Sequence, residues 1–137
     1  MTVTDIMTTE VITIGLDDTL GEMQEIFEKK RFHHLLVLEE EELLGIISDR
    51  DVFREISPYI NTLAEDSRAL ETLKKKAHQI MSRNPITVGI DVQIEDAVHI
   101  LLENDISCLP VISTAKDIEG ILTWKDILKH YVKRNNL

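Results

Sequence analysis

One segment of this chain recurs, and the repeat sets what the chain can fold into. Asp5-Ile6-Met7-Thr8 followed by Val11-Ile12-Thr13-Ile14-Gly15 returns as Gln79-Ile80-Met81-Ser82 followed by Pro85-Ile86-Thr87-Val88-Gly89, so residue 6 maps onto residue 80 at an offset of 74. The same offset carries Asp17 to Asp91, Leu20 to Ile94, Phe27 to Leu101 and Leu35 to Leu109. Further on the offset is 75, where Gly45-Ile46-Ile47-Ser48-Asp49-Arg50-Asp51-Val52 matches Gly120-Ile121-Leu122-Thr123-Trp124-Lys125-Asp126-Ile127; one residue gained in a turn accounts for the change. Repeats at this spacing mean two copies of one supersecondary unit.

Each copy reads into the same elements. Ile12-Thr13-Ile14 and Ile86-Thr87-Val88 are β-prone, and each leads through Gly and Asp into a helix. In those helices Leu20, Met23 and Phe27, or Ile94, Ala97, Val98, Leu101 and Leu102, recur at helical spacing, opposite Glu22, Glu25 and Glu28, or Glu95 and Glu103. Leu35 to Leu38 and Leu43 to Ile47 then read as an antiparallel hairpin with an acidic tip at Glu39 to Glu42, repeated by Leu109 to Ile112 and Ile118 to Leu122. A second helix opens near Asp51 or Asp126. The fold class is therefore α+β, two β-α-β-β-α repeats. One unit of ~50 residues buries too little apolar surface to stand comfortably alone, so the two are expected to pack with pseudo-two-fold symmetry. The bounds are 1–58 and 78–137. Between them, 59–77 place Leu63, Leu70, Leu73 and Ala77 on one stripe and predict an amphipathic linking helix.

Composition narrows the function. Fifteen Lys and Arg against 25 Asp and Glu give a net charge of −10, which disfavours broad contact with a nucleic-acid backbone. The longest apolar runs fall far short of the roughly 18 residues that span a bilayer, and no basic-then-apolar leader opens the chain. A single cysteine, Cys108, excludes an internal disulfide and suits a reducing compartment, so the expected location is cytoplasmic. No nucleophile is paired with a base by the repeat, and neither a Walker-type glycine loop nor zinc-ligand spacing is present, so no enzyme is expected.

The chemistry concentrates at Ser48-x-x-Asp51 and Thr123-x-x-Asp126, where a hydroxyl ends a strand and a carboxylate opens a helix. Such side chains converge on one small volume. A carboxylate accepts from the vicinal hydroxyls of a ribose, and a hydroxyl suits phosphate oxygens. Arg50 and Lys125 hold the same slot between them, a cation that offsets phosphate charge. The competing reading is helix capping, worth typically ~1 kcal/mol, and one residue can serve both roles. On this view Asp126→Ala costs little more than a cap. His33 and His34 are adjacent on a strand and point to opposite faces, so they do not readily chelate one metal ion.

The doubled pattern Gly45 to Asp51 and Gly120 to Asp126, with Leu109-Pro110-Val111 and Asn84-Pro85-Ile86-Thr87-Val88, resembles the cystathionine β-synthase (CBS) domain family. The likeness runs from about Val3 to Tyr131 and implies a tandem pair, a Bateman module. Such modules commonly bind adenosine-containing ligands, here AMP, ADP, ATP or S-adenosylmethionine, in clefts between the repeats and report to a partner protein. The resemblance further implies that the segment before Leu-Pro-Val lines the site: Ile106, Ser107 and Cys108 in the second copy, Phe32, His33 and His34 in the first. Thr13 and Thr87 are weaker candidates for the same clefts. Leu36 stands where the second copy has Pro110, which predicts a less rigid strand entry in the first site. It also implies a homodimer formed through the second helices, with Tyr59, Ile60, Trp124 and Tyr131 contributing. The alternative is a structural homodimer or protein-interaction adaptor with vestigial clefts.

Overall fold

Both hairpins expected from the apolar runs form, and each is flanked by the strand and helices that the repeat predicts. A computed structural model describes all 137 residues, Met1–Leu137. After a 3-10 turn at Val3–Asp5, the first copy supplies β1 (Thr13–Ile14), α1 (Leu20–Lys29), β2 (His34–Glu39), β3 (Glu42–Ser48) and α2 (Asp49–Glu55). A short α3 (Ser67–Glu71) runs into a second 3-10 turn (Thr72–Lys74) and is followed by α4 (Ala77–Ile80) and β4 (Ser82–Arg83). The second copy continues with β5 (Val88–Gly89), α5 (Ile94–Asn104), β6 (Cys108–Ile112), β7 (Ile118–Thr123) and α6 (Trp124–Arg134). No helix is long and apolar enough to cross a membrane.

The chain divides into two compact units, Ile12–Asn84 and Met1–Val11 with Pro85–Leu137. The former holds a sheet of order β1-β2-β3-β4, the latter one of order β5-β6-β7; in each the first strand runs parallel to the second and the hairpin is antiparallel. Alternation along the strands gives each sheet two faces. On one face Leu35, Val37 and Ile47 pack with Leu20 and Met23 of α1 and Val52 of α2. The counterpart joins Leu109, Val111 and Leu122 to Ala97 and Leu101 of α5. Full burial of each such side chain is worth about 1.5–3 kcal/mol.

The domain bounds read from the repeat follow chain order, whereas the compact units exchange their leading segments. Val3 is buried in the core of β6 and β7, and Thr8 pairs with Ile121 through backbone bonds of 2.9 Å in both directions. Met81 lies in the core of β2 and β3, and Ser82 pairs with Ile46. Glycine makes this possible. A Cβ on Gly45 would lie 2.5 Å from Met81 Sδ and 2.9 Å from Ser82 O, and a Cβ on Gly120 would lie 2.6 Å from Thr8 O. Any other residue would push the exchanged segment off the sheet edge.

The linker departs from expectation. No single helix spans 59–77. Asn61 takes a positive φ of 61°, and helix begins only at Ser67, where the Asp66 side chain accepts from the Ala69 amide at 2.8 Å. Lys75 then leaves helical geometry with ψ 142°. Leu63 is fully exposed while Ala69 is buried, so the stripe drawn through Leu63, Leu70, Leu73 and Ala77 is not one face of one helix. A shorter helical piece packs on its own unit, with Leu73 Cβ 3.6 Å from the Cβ position at Gly21 of α1. At the entry to β2 the Leu36 amide donates to Ile12 O at 3.0 Å, a bond that Pro110 cannot make.

The acidic hairpin tip is strained. Glu40 and Glu41 are the two loop residues and both take positive φ, 50° and 67°, the geometry that Asn-Gly fits best. The double substitution Glu40→Asn/Glu41→Gly is expected to stabilise the protein by about 1 kcal/mol. A urea midpoint that stays level or falls contradicts that turn.

Candidate functional site

The Ser-x-x-Asp and Thr-x-x-Asp segments lie where the sequence puts them, at a strand end and a helix start. β3 ends at Ser48 and α2 begins at the next residue; β7 ends at Thr123 and α6 begins at Trp124. Both segments form reciprocal capping boxes. In the first, the Asp51 amide donates to Ser48 Oγ at 3.1 Å and the Ser48 amide donates to Asp51 Oδ2 at 2.8 Å. The second repeats this with the Thr123 amide on Asp126 Oδ2 at 2.9 Å, and the Thr123 hydroxyl also reaches Oδ2 at 3.1 Å.

Strand register brings further expected residues to these boxes. His34 pairs with Ser48 across the β2-β3 ladder, and Cys108 pairs with Thr123 across β6-β7. These positions, with Thr13 opposite Leu36, belong to the sheet face turned away from the helices. Thr87 immediately precedes β5. Phe32 and His33 lie just before β2, as Ile106 and Ser107 lie just before β6. Arg50 and Lys125 sit exposed on the first turns of α2 and α6. His33 is engaged locally, its Nδ1 lying 2.8 Å from Asp49 Oδ2 while its carbonyl accepts from the Asp49 amide at 3.0 Å.

The two boxes differ in one respect that their motifs do not show. Asp126 is only 9% exposed, and its Oδ1 accepts from the Thr8 hydroxyl at 2.8 Å. Asp51 is half-buried, its Oδ1 lies 3.8 Å from Arg54 Nη1, and its charge reaches His34. Ser82 holds the position equivalent to Thr8, yet it is exposed and makes no bond to Asp51. Thr8 is the site residue that the sequence reading missed; a hydroxyl at both 8 and 82 was the available signal.

Burial also sets the titration of two groups. It pushes the Cys108 thiol up to about 12, with the Asp126 carboxylate adding to the shift, so the sulfur stays protonated and is a poor nucleophile. Burial holds His34 below its ordinary value, with Asp49 and Asp51 opposing the shift and His33 and Arg50 reinforcing it.

A family model for the CBS domain matches residues 3–58 and 77–133. An inosine-5'-monophosphate dehydrogenase of Methanocaldococcus jannaschii is 30% identical over 126 residues, 91% of this chain and 22% of that protein. A CBS domain-containing protein of Dictyostelium discoideum is 30% identical over 134 residues, covering 96% of this chain and 91% of its own length. Among solved structures, the CBS domain pair of protein MJ0100 in complex with 5'-methylthioadenosine and S-adenosyl-L-methionine superposes with a TM-score of 0.78 at 27% identity, covering 98% of both chains. The chain spans 22% to 46% of the length of the first five curated relatives it matches.

Two outcomes follow from the boxes and from His34. Asp51→Ala removes a cap worth about 1 kcal/mol, whereas Asp126→Ala also strands the Thr8 hydroxyl and is expected to cost about 2–3 kcal/mol. This exceeds the cap-only cost expected from sequence, and equal urea midpoints for the two variants would contradict the Thr8 bond. His34 binds its proton more weakly folded than unfolded, so it costs nothing above the ordinary value of 6.5 and lowers stability as pH falls below it. Denaturant midpoints from about pH 7.5 down to pH 5.5 should fall less steeply in His34→Gln than in the wild type. Parallel slopes would show that His34 is not so shielded.

Proposed function

Because the chain belongs to the CBS domain family, we propose that it is a regulatory module that binds an adenosine nucleotide or adenosyl ligand, AMP, ADP, ATP or S-adenosylmethionine, and signals the occupancy to a partner protein. One observation carries the reading: the same hydroxyl and carboxylate pair closes the hairpin in both units, each with its cross-strand neighbour on one sheet face. The named ligands of the MJ0100 domain pair, both adenosine derivatives, support it. In this reading Asp51 and Asp126 accept from ribose hydroxyls, and Ser48 and Thr123 orient the carboxylates. Arg50 and Lys125 supply positive charge toward a phosphate. The base is lined by Phe32, His33 and His34 or by Ile106, Ser107 and Cys108, with Thr13 and Thr87 at the first strands. The module acts by binding, shifting a partner between states that differ in affinity for it.

In this reading the chain also forms a homodimer through its second helices. Trp124, Leu128, Tyr131 and Val132 form an exposed apolar stripe at helical spacing on α6, and Phe53 is exposed on α2. That stripe equally supports a second reading, an adaptor whose sites are vestigial, and the three donors already on Asp126 favour it for the second repeat.

Thermal unfolding with AMP, ADP, ATP and S-adenosylmethionine separates the two. A ligand at about 100 times its dissociation constant adds roughly 2.7 kcal/mol, a rise of several degrees, and the rise is expected to disappear in Asp51→Ala. No rise with any of the four favours the adaptor reading.

A further inference from the structure

Thr8 touches the second capping box without belonging to it. Its hydroxyl donates to Asp126 Oδ1 at 2.8 Å, while the Thr123 amide and hydroxyl donate to Oδ2 at 2.9 and 3.1 Å. We propose that Thr8 is a specificity-determining residue of the second box: by holding one carboxylate position it leaves Asp126 to take a nucleotide through one sugar hydroxyl, so that this box does not select a vicinal diol. The role rests on Asp126 meeting the sugar, as in the proposed nucleotide reading.

Acceptor capacity sets the selectivity. An ionised carboxylate has about four lone-pair positions, and the three donors on Asp126 leave at most one. A sugar with one hydroxyl in reach fills that position and displaces nothing. A vicinal pair needs a second position. Whichever protein bond then yields, the gain from the second hydroxyl is set against the loss of a bond of the same kind. The preference for two hydroxyls over one is therefore small while Thr8 stays bonded. A ligand can approach the carboxylate, since Asp126 borders a groove of about 790 Å³ within its own unit.

Thr8 is fixed where it stands. Its amide donates to Ile121 O and its carbonyl accepts from the Ile121 amide, both at 2.9 Å, and that carbonyl lies 2.6 Å from where a Cβ on Gly120 would be. Val3, buried in the core of the same unit, holds the segment from its other end. A β-branched side chain on so constrained a backbone is stiff about χ1, so its hydroxyl does not readily swing away from the carboxylate.

The edge pairing does not require this bond. Ser82 pairs with Ile46 at the equivalent edge of the other sheet and also carries a hydroxyl, yet it is exposed and makes no bond to Asp51. The exchanged segment thus docks with or without a hydroxyl on the carboxylate. The Thr8 bond is an addition peculiar to the second box, and its direct effect is to occupy an acceptor position.

The test is calorimetric titration of the full chain with AMP, 2'-deoxy-AMP and 3'-deoxy-AMP in an Asp51→Ala background, which leaves the second box to be read. With Thr8 in place, at least one deoxy analogue is expected to bind within about threefold of AMP. Adding Thr8→Val vacates a position and lets AMP use both hydroxyls, so both analogues are expected to bind roughly tenfold or more weakly than AMP. Adding Thr8→Ser instead keeps the donor and should keep the ratios seen with Thr8. Ratios that do not differ between Thr8 and Thr8→Val overturn the role of Thr8 and leave the nucleotide reading standing, as does tenfold discrimination by both analogues already with Thr8 present. AMP binding in Asp51→Ala that is not weakened by adding Asp126→Asn lies outside the second box and also overturns the role. No AMP binding in Asp51→Ala overturns it too, and none in the wild type overturns the nucleotide reading with it. Circular dichroism and the melting temperature of each ligand-free variant confirm that it is folded, and a ratio between two sugars, unlike an affinity, is not moved by lost stability alone.

Discussion

The close approach of an exchanged chain segment to a glycine is the constraint on which both units depend. At Gly120 the backbone of Thr8 comes to where a Cβ would stand, and at Gly45 Met81 and Ser82 do the same. Each contact adds backbone bonds at the free edge of a hairpin and buries an apolar residue, Val3 or Met81, beneath it. Without the segment, each hairpin would present an unpaired strand edge and an incomplete core. The glycine is thus a packing residue first, and the site chemistry follows from it: Thr8 reaches Asp126 only because its backbone lies against β7.

How much of this the sequence discloses depends on how local the determinant is. The hairpins were legible because apolar runs such as Leu35 to Leu38 alternate between two faces over a few residues. The capping boxes were legible because they need only three residues' spacing and the right side chains. The exchange was not, since equal offsets between copies are the same whether a leading segment packs on its own copy or on the other. The linking helix failed for another reason. Leu63, Leu70 and Leu73 have helical spacing, but spacing carries no information on the positive φ of Asn61 or on the Asp66 cap that starts the helix late. Thr8 and Ser82 were visible as a retained hydroxyl, and only the fold shows that one bonds a carboxylate and the other does not.

Helix α6 gathers three tasks onto one short element. Ile127 packs toward the core, Trp124, Leu128, Tyr131 and Val132 are exposed as an apolar stripe, and Asp126 closes the second capping box. A helix has room for this because its residues advance about 100° at a time, so three stripes fit around one axis. The arrangement links a candidate partner surface to a candidate ligand surface through a single rigid body. A ligand that favours one orientation of α6 would bias what docks on the stripe by its difference in affinity between the two orientations, and by no more than that.

The two boxes differ most in acceptor capacity. An ionised carboxylate has about four lone-pair positions. Asp126 already accepts from Thr8 Oγ1, from the Thr123 amide and from the Thr123 hydroxyl. Asp51 accepts from the Ser48 amide, and Arg54 Nη1 lies 3.8 Å from its other oxygen. A ribose offers two vicinal hydroxyl donors, which with the three already on Asp126 exceed its four positions, so Asp126 must give one up. Giving up the Thr8 bond would also loosen the exchanged segment at Gly120. Where the bond given up is the one to Thr8, occupancy of the second box is tied to the packing of its own unit.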